Sequence, residues 1–293
     1  GQVEARRATL DGRWLIGVIA FDGREARVSE DCRRAFIIGL DGAMGSAVRS
    51  AATPRLDALL DTGVVTYAAR TTVPPASFEA WGAMFHGVGP EKHRINDGRL
   101  VPDDTPWPSI MKVANDARPE MRCASFVGWH PINSHIIESC CQCDRVSMLD
   151  ADLSRAAAEY IKTCRPNLFF MQLDSIDLAG HHHVYGSQKY LEQIAIVDGY
   201  LGTVVDAIRD AGMLPESLVI VLSDHGGHGT HHDGDIPDCT TIFWGCRWPG
   251  ALKRIELGAN RVNIADTAAV VARALGLPAP VGWDGRVPDG VLD

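Results

Sequence analysis

The chain has 293 residues, 46% hydrophobic and 22% charged, enough apolar material for one large domain or a domain with an insertion. A formal charge of −9 works against nonspecific nucleic-acid binding, which needs a basic surface. No uninterrupted apolar run reaches the roughly 18 residues of a membrane span, so a soluble chain is expected, with its compartment undecided.

The first strand-sized run, Trp14 to Phe21, lacks the charged start and cleavage site of a signal peptide. With the residues after it, this run reads as two strands around a turn at Asp22-Gly23, an accessory N-terminal β-hairpin over 1–32. From 33 to 293 one α/β domain is expected. "AFIIGLDG" is a buried strand ending in a polar turn, and "TPRLDALLDTG" is a helix capped by Thr53, opened by Pro54 and ended by Gly63. The segment of about 95–150, richer in Pro, Asp, Trp and Cys, reads as an insertion or lid beside the main sheet. "RCASFVGW" and "NLFFMQLDS" are further strands with the helix "DLSRAAAEYIKTC" between them. The long helical pattern "KYLEQIAIVDGYLGTVVDAIRDAG" ends at Gly212 and leads into the strand "SLVIVLSD". Such alternation predicts a mainly parallel central sheet with helices on both faces.

Eight cysteines in a chain of this length do not imply a disulfide scaffold. The cluster "SCCQCD" (Cys140, Cys141, Cys143) has no second pair at zinc-finger spacing, so structural or free thiols are expected there.

Open α/β sheets gather ligands at the carboxyl ends of their strands. Acids stand at three such ends: Asp41, then Asp174 and Asp177, then Asp224. In "DSIDLAGHHH", Asp177 and His181 can meet one cation if the chain turns sharply at Gly180; the plainer reading is a polar loop with solvent-facing histidines. In "SDHGGHGTHHDG", Asp224 and His225 stand together, and glycines 226, 227 and 229 let the chain return a later histidine. Mixed oxygen and nitrogen donors on two strand ends suit two divalent cations, zinc first, with manganese or iron as alternatives. Such a pair clamps the attacking and leaving oxygens of a phosphoryl displacement. Ser77 opens the helical pattern "FEAWGAMFHG" after a proline-restricted turn. It is either a plain N-cap or a nucleophile aimed, with the helix amides, at an anionic substrate.

Five motifs in order, "IIGLDGA", "SFEAWGAMFHGVGPEKHRIND", "LDSIDLAGHHHVYGS", "VLSDHGGHGTHHDGD" and "NIADTAAVVARALGLPAPVGWDGRVP", resemble the alkaline phosphatase superfamily, within it the type I phosphodiesterase and nucleotide pyrophosphatase group. The resemblance runs from about Arg33 to the C-terminus. It implies an alkaline phosphatase-like fold, one metal held by Asp41, Ser77, Asp224 and His225, and a second held by Asp177, His181 and His232. It also implies Ser77 as the nucleophile, forming a covalent phospho-enzyme that water releases. The implied activity is hydrolysis of small-molecule phosphate diesters or phosphoanhydrides.

Three positions depart from that group. Ala80 stands where it carries a phosphate-binding asparagine, Glu79 where a proline is common, and Arg94 where "PExHG" has glycine. Arg94 is a candidate substitute for the missing donor, and Phe78 a candidate lining of a base or apolar pocket, with Trp107, Trp129 and Tyr185 weaker candidates. Asp174 is expected to support the ligands from behind, and His182, His183, His228 and His231 to orient them or face solvent. A phosphomonoesterase or phosphonate hydrolase on the same scaffold is the nearest alternative. A sulfatase is disfavoured because "SFEAW" lacks the proline and arginine of a C/S-x-P-x-R run, and a noncatalytic metal-binding protein is disfavoured by the complete ligand set. Oligomeric state stays open.

Overall fold

The computed structural model describes residues 32–293 and the backbone of two short strands, β1 (Thr9–Leu10) and β2 (Arg13–Trp14), paired antiparallel. The expected turn at Asp22-Gly23 lies outside the described residues. In chain order there follow β3 (Arg34–Leu40), α1 (Gly45–Ser50), α2 (Pro54–Leu59), β4 (Gly63–Arg70), α3 (Ser77–His86) and α4 (Pro90–His93). Next come α5 (Ile110–Ala117), β5 (Cys123–Val127), β6 (Cys143–Ser147), α6 (Asp150–Cys164), β7 (Leu168–Leu173), α7 (Ser175–His183) and α8 (Gln188–Asp210). The last are β8 (Ser217–Leu222), α9 (Pro237–Thr240), β9 (Thr241–Arg247), β10 (Arg254–Glu256) and α10 (Asp266–Leu275).

One eight-stranded sheet has the order β10-β4-β9-β8-β3-β7-β5-β6. Every neighbouring pair is parallel except those of β9, which runs against both β4 and β8. The sequence reading passed over β4, β6, β9 and β10. "TIFWGCR" follows only the four-residue α9 rather than a long amphipathic helix, so the βα rhythm that announces a parallel strand is missing there.

The central strands β3, β7 and β8 are apolar on both sides because both faces are covered. Along β3, Phe36, Ile38 and Leu40 join a core with Leu56, Leu153, Val197 and Leu201 of α2, α6 and α8. Ile37 faces the opposite core, with Trp81, Met84 and Phe85 of α3, Met111 of α5 and Val270 of α10. The expected mainly parallel sheet with helices on both faces is the fold found.

Some local expectations are corrected. α2 stops at Leu59, and Gly63, at φ 128°, opens β4 instead of ending the helix. The Thr53 hydroxyl makes no capping hydrogen bond. Residues 95–150 are built into the sheet rather than placed beside it: β5 and β6 form one side of it, and Ile110 and Met111 lie in its core.

Candidate functional site

β8, β3 and β7 are adjacent and parallel, so their carboxyl ends open on one side of the molecule. Asp41 follows β3 directly, Asp174 follows β7, and Asp224 follows β8 by two residues. α7 then carries Asp177 and His181 on one face. They are four residues apart in a continuous helix, with His181 Nε2 3.2 Å from Asp177 Oδ2. No sharp turn at Gly180 is needed, contrary to expectation. That glycine instead gives room to Tyr185, whose ring would lie 2.5 Å from an added Cβ.

The structure gathers six of the seven expected ligands into two groups. In one, donor atoms of Asp41, Asp224 and His225 lie within 4.8 Å of one another; in the other, those of Asp177, His181 and His232 do so. These are the two groups of three or more such donors among the described residues, and neither includes a cysteine. Ser77 is the first residue of α3 and does not cap it; its Oγ lies 3.2 Å from His225 Nε2, beside the first group. His232 links the two, its ring stacked on His225 at 3.9 Å and 5.2 Å from His181.

The donor chemistry fits cations. His225, His181 and His232 each turn Nδ1 toward a backbone carbonyl, of Gly226 at 2.8 Å, Thr230 at 2.8 Å and Pro75 at 3.0 Å. An Nδ1–H donated there leaves the Nε2 lone pair for the site. His225 Nε2 then faces Asp224 Oδ2 at 3.4 Å and Asp41 Oδ1 at 3.6 Å, acceptor against acceptor. Those two oxygens are buried and have no hydrogen-bond partner. Buried lone pairs without donors are costly, and a divalent cation is what these would bind.

The titration behaviour has the same origin. Burial, then the charges of Asp224, Asp177 and Asp174, holds Asp41 well above the usual carboxylate range. Burial pushes Asp224 up to about 7, opposed by the Gly42 amide and reinforced by Asp177. Asp174 rises to about 6, again mainly through burial. Burial lowers both His225 and His232, keeping their rings neutral.

Several supporting groups were not singled out from sequence. Trp81 Nε1 and Gln172 Nε2 both donate to Asp41 Oδ2, at 3.0 and 2.7 Å. Trp81 stands four residues after Ser77, a spacing that places both on one helix face, and Gln172 is the polar exception in the apolar run "LFFMQL". Tyr185, expected only as a pocket aromatic, donates its hydroxyl to Asp177 Oδ1. Asp150 accepts from the Asp174 and Ser175 amides at 3.0 and 2.9 Å and holds the start of α7.

The remaining candidates divide. Asp174 accepts from Gln172 Nε2 at 3.0 Å, one residue removed from Asp41. Phe78 packs edge-on against Trp129 at 4.6 Å and lies 5.5 Å from the His135 ring, making an aromatic surface next to Ser77. Arg94 is not brought in: it is exposed at the end of α4, with Nε 3.5 Å from the Glu91 carbonyl. Trp107 lies against Gly282. His182, His183, His228 and His231 are exposed.

The sequence model of the family described as type I phosphodiesterase / nucleotide pyrophosphatase matches residues 120–273, which hold five of the seven ligands; Asp41 and Ser77 precede it. GPI ethanolamine phosphate transferase 1 of Schizosaccharomyces pombe is 29% identical and that of Mus musculus 30%, each match covering 43% of this chain and 16% of the relative. The match thus spans about a sixth of the length of those relatives. Among solved structures, murine ectonucleotide pyrophosphatase / phosphodiesterase 5, an inactive form in complex with AMP, superposes with a TM-score of 0.70 at 13% identity, covering 84% of this chain and 96% of that one. A 2-O GAG sulfatase does so with a TM-score of 0.70 at 12% identity, over 87% of this chain and 73% of that one. At such identities the likeness is one of fold, while the family model spans more than half of the sequence. Within the alkaline phosphatase superfamily, the chain belongs to the type I phosphodiesterase / nucleotide pyrophosphatase family.

Proposed function

We propose that the protein breaks phosphodiester or phosphoanhydride bonds of small-molecule substrates by transferring the phosphoryl group to Ser77. The supporting observation is the Ser77 hydroxyl at the start of a ten-residue helix, 3.2 Å from His225 Nε2 and beside two converging donor groups. Asp41, Ser77, Asp224 and His225 would hold one divalent cation, and Asp177, His181 and His232 the other, with zinc preferred and manganese or iron as alternatives. Bound there, the pair supplies positive charge that favours the Ser77 alkoxide and offsets the charge of the phosphate.

The chain's own groups do the rest. Ser77 Oγ gives up its proton and attacks phosphorus, the bond from phosphorus to the leaving oxygen breaks, and that oxygen takes up a proton. The amides that open α3 favour the anionic oxygens of the group being transferred. Water then attacks the phosphoserine, the bond from phosphorus to Oγ breaks, and the hydroxyl is restored. Phe78 and Trp129 offer an aromatic surface to an aryl or apolar part of the substrate.

The likeness to ethanolamine phosphate transferases favours a second reading in which an alcohol replaces water in the last step. Product analysis with and without an alcohol acceptor separates the two, and relative rates on mono- and diester aryl phosphates separate diesterase from monoesterase. Ser77→Ala is expected to lower turnover of an aryl phosphodiester by roughly 10³-fold or more while metal is retained. Undiminished activity in that variant would sink the covalent route.

A further inference from the structure

Gln172 is fully buried in β7, between leucines, phenylalanines and a methionine, where an apolar side chain would fit the strand's pattern. Its amide is fully engaged. Oε1 accepts from the Trp129 backbone amide at 2.8 Å, and Nε2 donates to Asp41 Oδ2 at 2.7 Å and Asp174 Oδ1 at 3.0 Å. A primary amide has two hydrogens, so both are spent on carboxylates. Trp81 Nε1 is the other donor to Asp41 Oδ2. Both donors are neutral, so they orient the carboxylate without cancelling its charge, and they leave Oδ1 bare toward His225. The opposite end of the same amide holds the backbone of Trp129, whose ring packs on Phe78, the residue after Ser77.

We infer that Gln172 is a positioning residue joining two parts of the site: it selects the oxygen of Asp41 that meets a cation and sets the place of the aromatic surface beside Ser77. This rests on the cation assignment under the proposed function. A glutamine that merely satisfied itself in the core would affect stability alone. A joining role shifts one cation affinity and KM together, because one amide holds both parts.

The test uses purified, metal-depleted protein titrated with zinc against a chromogenic chelator, followed by kinetics of the zinc-loaded protein on an aryl phosphodiester. Gln172→Leu is expected to weaken one zinc site by about 10–100-fold, the usual cost of losing a ligand's hydrogen-bond support. It should leave the other site unchanged and raise KM several-fold at saturating zinc. Trp129→Ala is expected to raise KM without changing either zinc affinity. Unchanged affinities in Gln172→Leu, or equal weakening of both sites, would overturn the inference. Should that variant not fold, Gln172→Met, unbranched and of similar length, carries the same expectations. Wild-type protein that takes up no zinc would instead remove the cation assignment itself, a result distinct from a failure at Gln172.

Discussion

Asp41 and Asp224 each have one oxygen held and one bare. Two neutral side chains hold Asp41 Oδ2, while the Gly42 and His225 amides hold Asp224 Oδ1 at 3.0 and 2.9 Å. Division of labour within a carboxylate leaves each with a single unpartnered oxygen facing the site, something no residue count can reveal. The three histidines are fixed in the same way through Nδ1, so the removal of one ring should not rotate the others. His232→Ala is therefore expected to reduce bound zinc from two equivalents to one, leaving the Asp41, Asp224 and His225 site occupied; metal analysis after dialysis checks this. Loss of both equivalents would mean that the stacking of His232 on His225 at 3.9 Å also fixes His225.

At the scale of elements, α7 shows how a helix face does what a loop was expected to do. The pair Asp177 and His181 was legible from spacing, yet the expected turn at Gly180 was not found, because an i, i+4 pair already shares a side of a helix. What sequence spacing omits is the neighbour: Tyr185 lies against Gly180 and holds Asp177. Gly180→Ala should gain about 1 kcal/mol of helix propensity in isolation. Here the new methyl meets the Tyr185 ring, so the expected outcome is no gain in thermal stability and weaker zinc binding at the Asp177, His181 and His232 site. A calorimetric scan and a zinc titration of the same sample decide it. The same limit of local pattern explains β9, whose antiparallel course depends on a gap between β4 and β8.

Across the whole molecule, the cost of collecting buried acids at one sheet edge becomes a dependence of stability on pH. In the metal-free protein Asp174 and Asp224 titrate at about 6 and 7, above the ordinary carboxylate value near 3.8. Between those limits the folded state binds more protons than the unfolded one, so their stabilising contribution is complete at low pH and is lost as pH rises toward 7. Burial of neutral His225 and His232 opposes this trend below their ordinary value of 6.5, so metal-free protein should show a thermal midpoint that falls as pH rises from about 6.5 to 8. Zinc should raise that midpoint most at pH 8, by an amount corresponding to about 2.7 kcal/mol per site at 100 times Kd. A zinc effect that did not grow with pH would count against cations binding these carboxylates. By itself, the sequence determined the parallel sheet and the acids at its strand ends and pointed to seven candidate ligands, because apolar runs, helix spacing and motif order are local and repeat along the chain. Only the tertiary structure decided that Gln172 and Trp81 hold Asp41, that Tyr185 holds Asp177 and that Arg94 stands apart. Residues far apart in sequence become neighbours only when the sheet closes, and no local pattern records which partner a buried polar group will find.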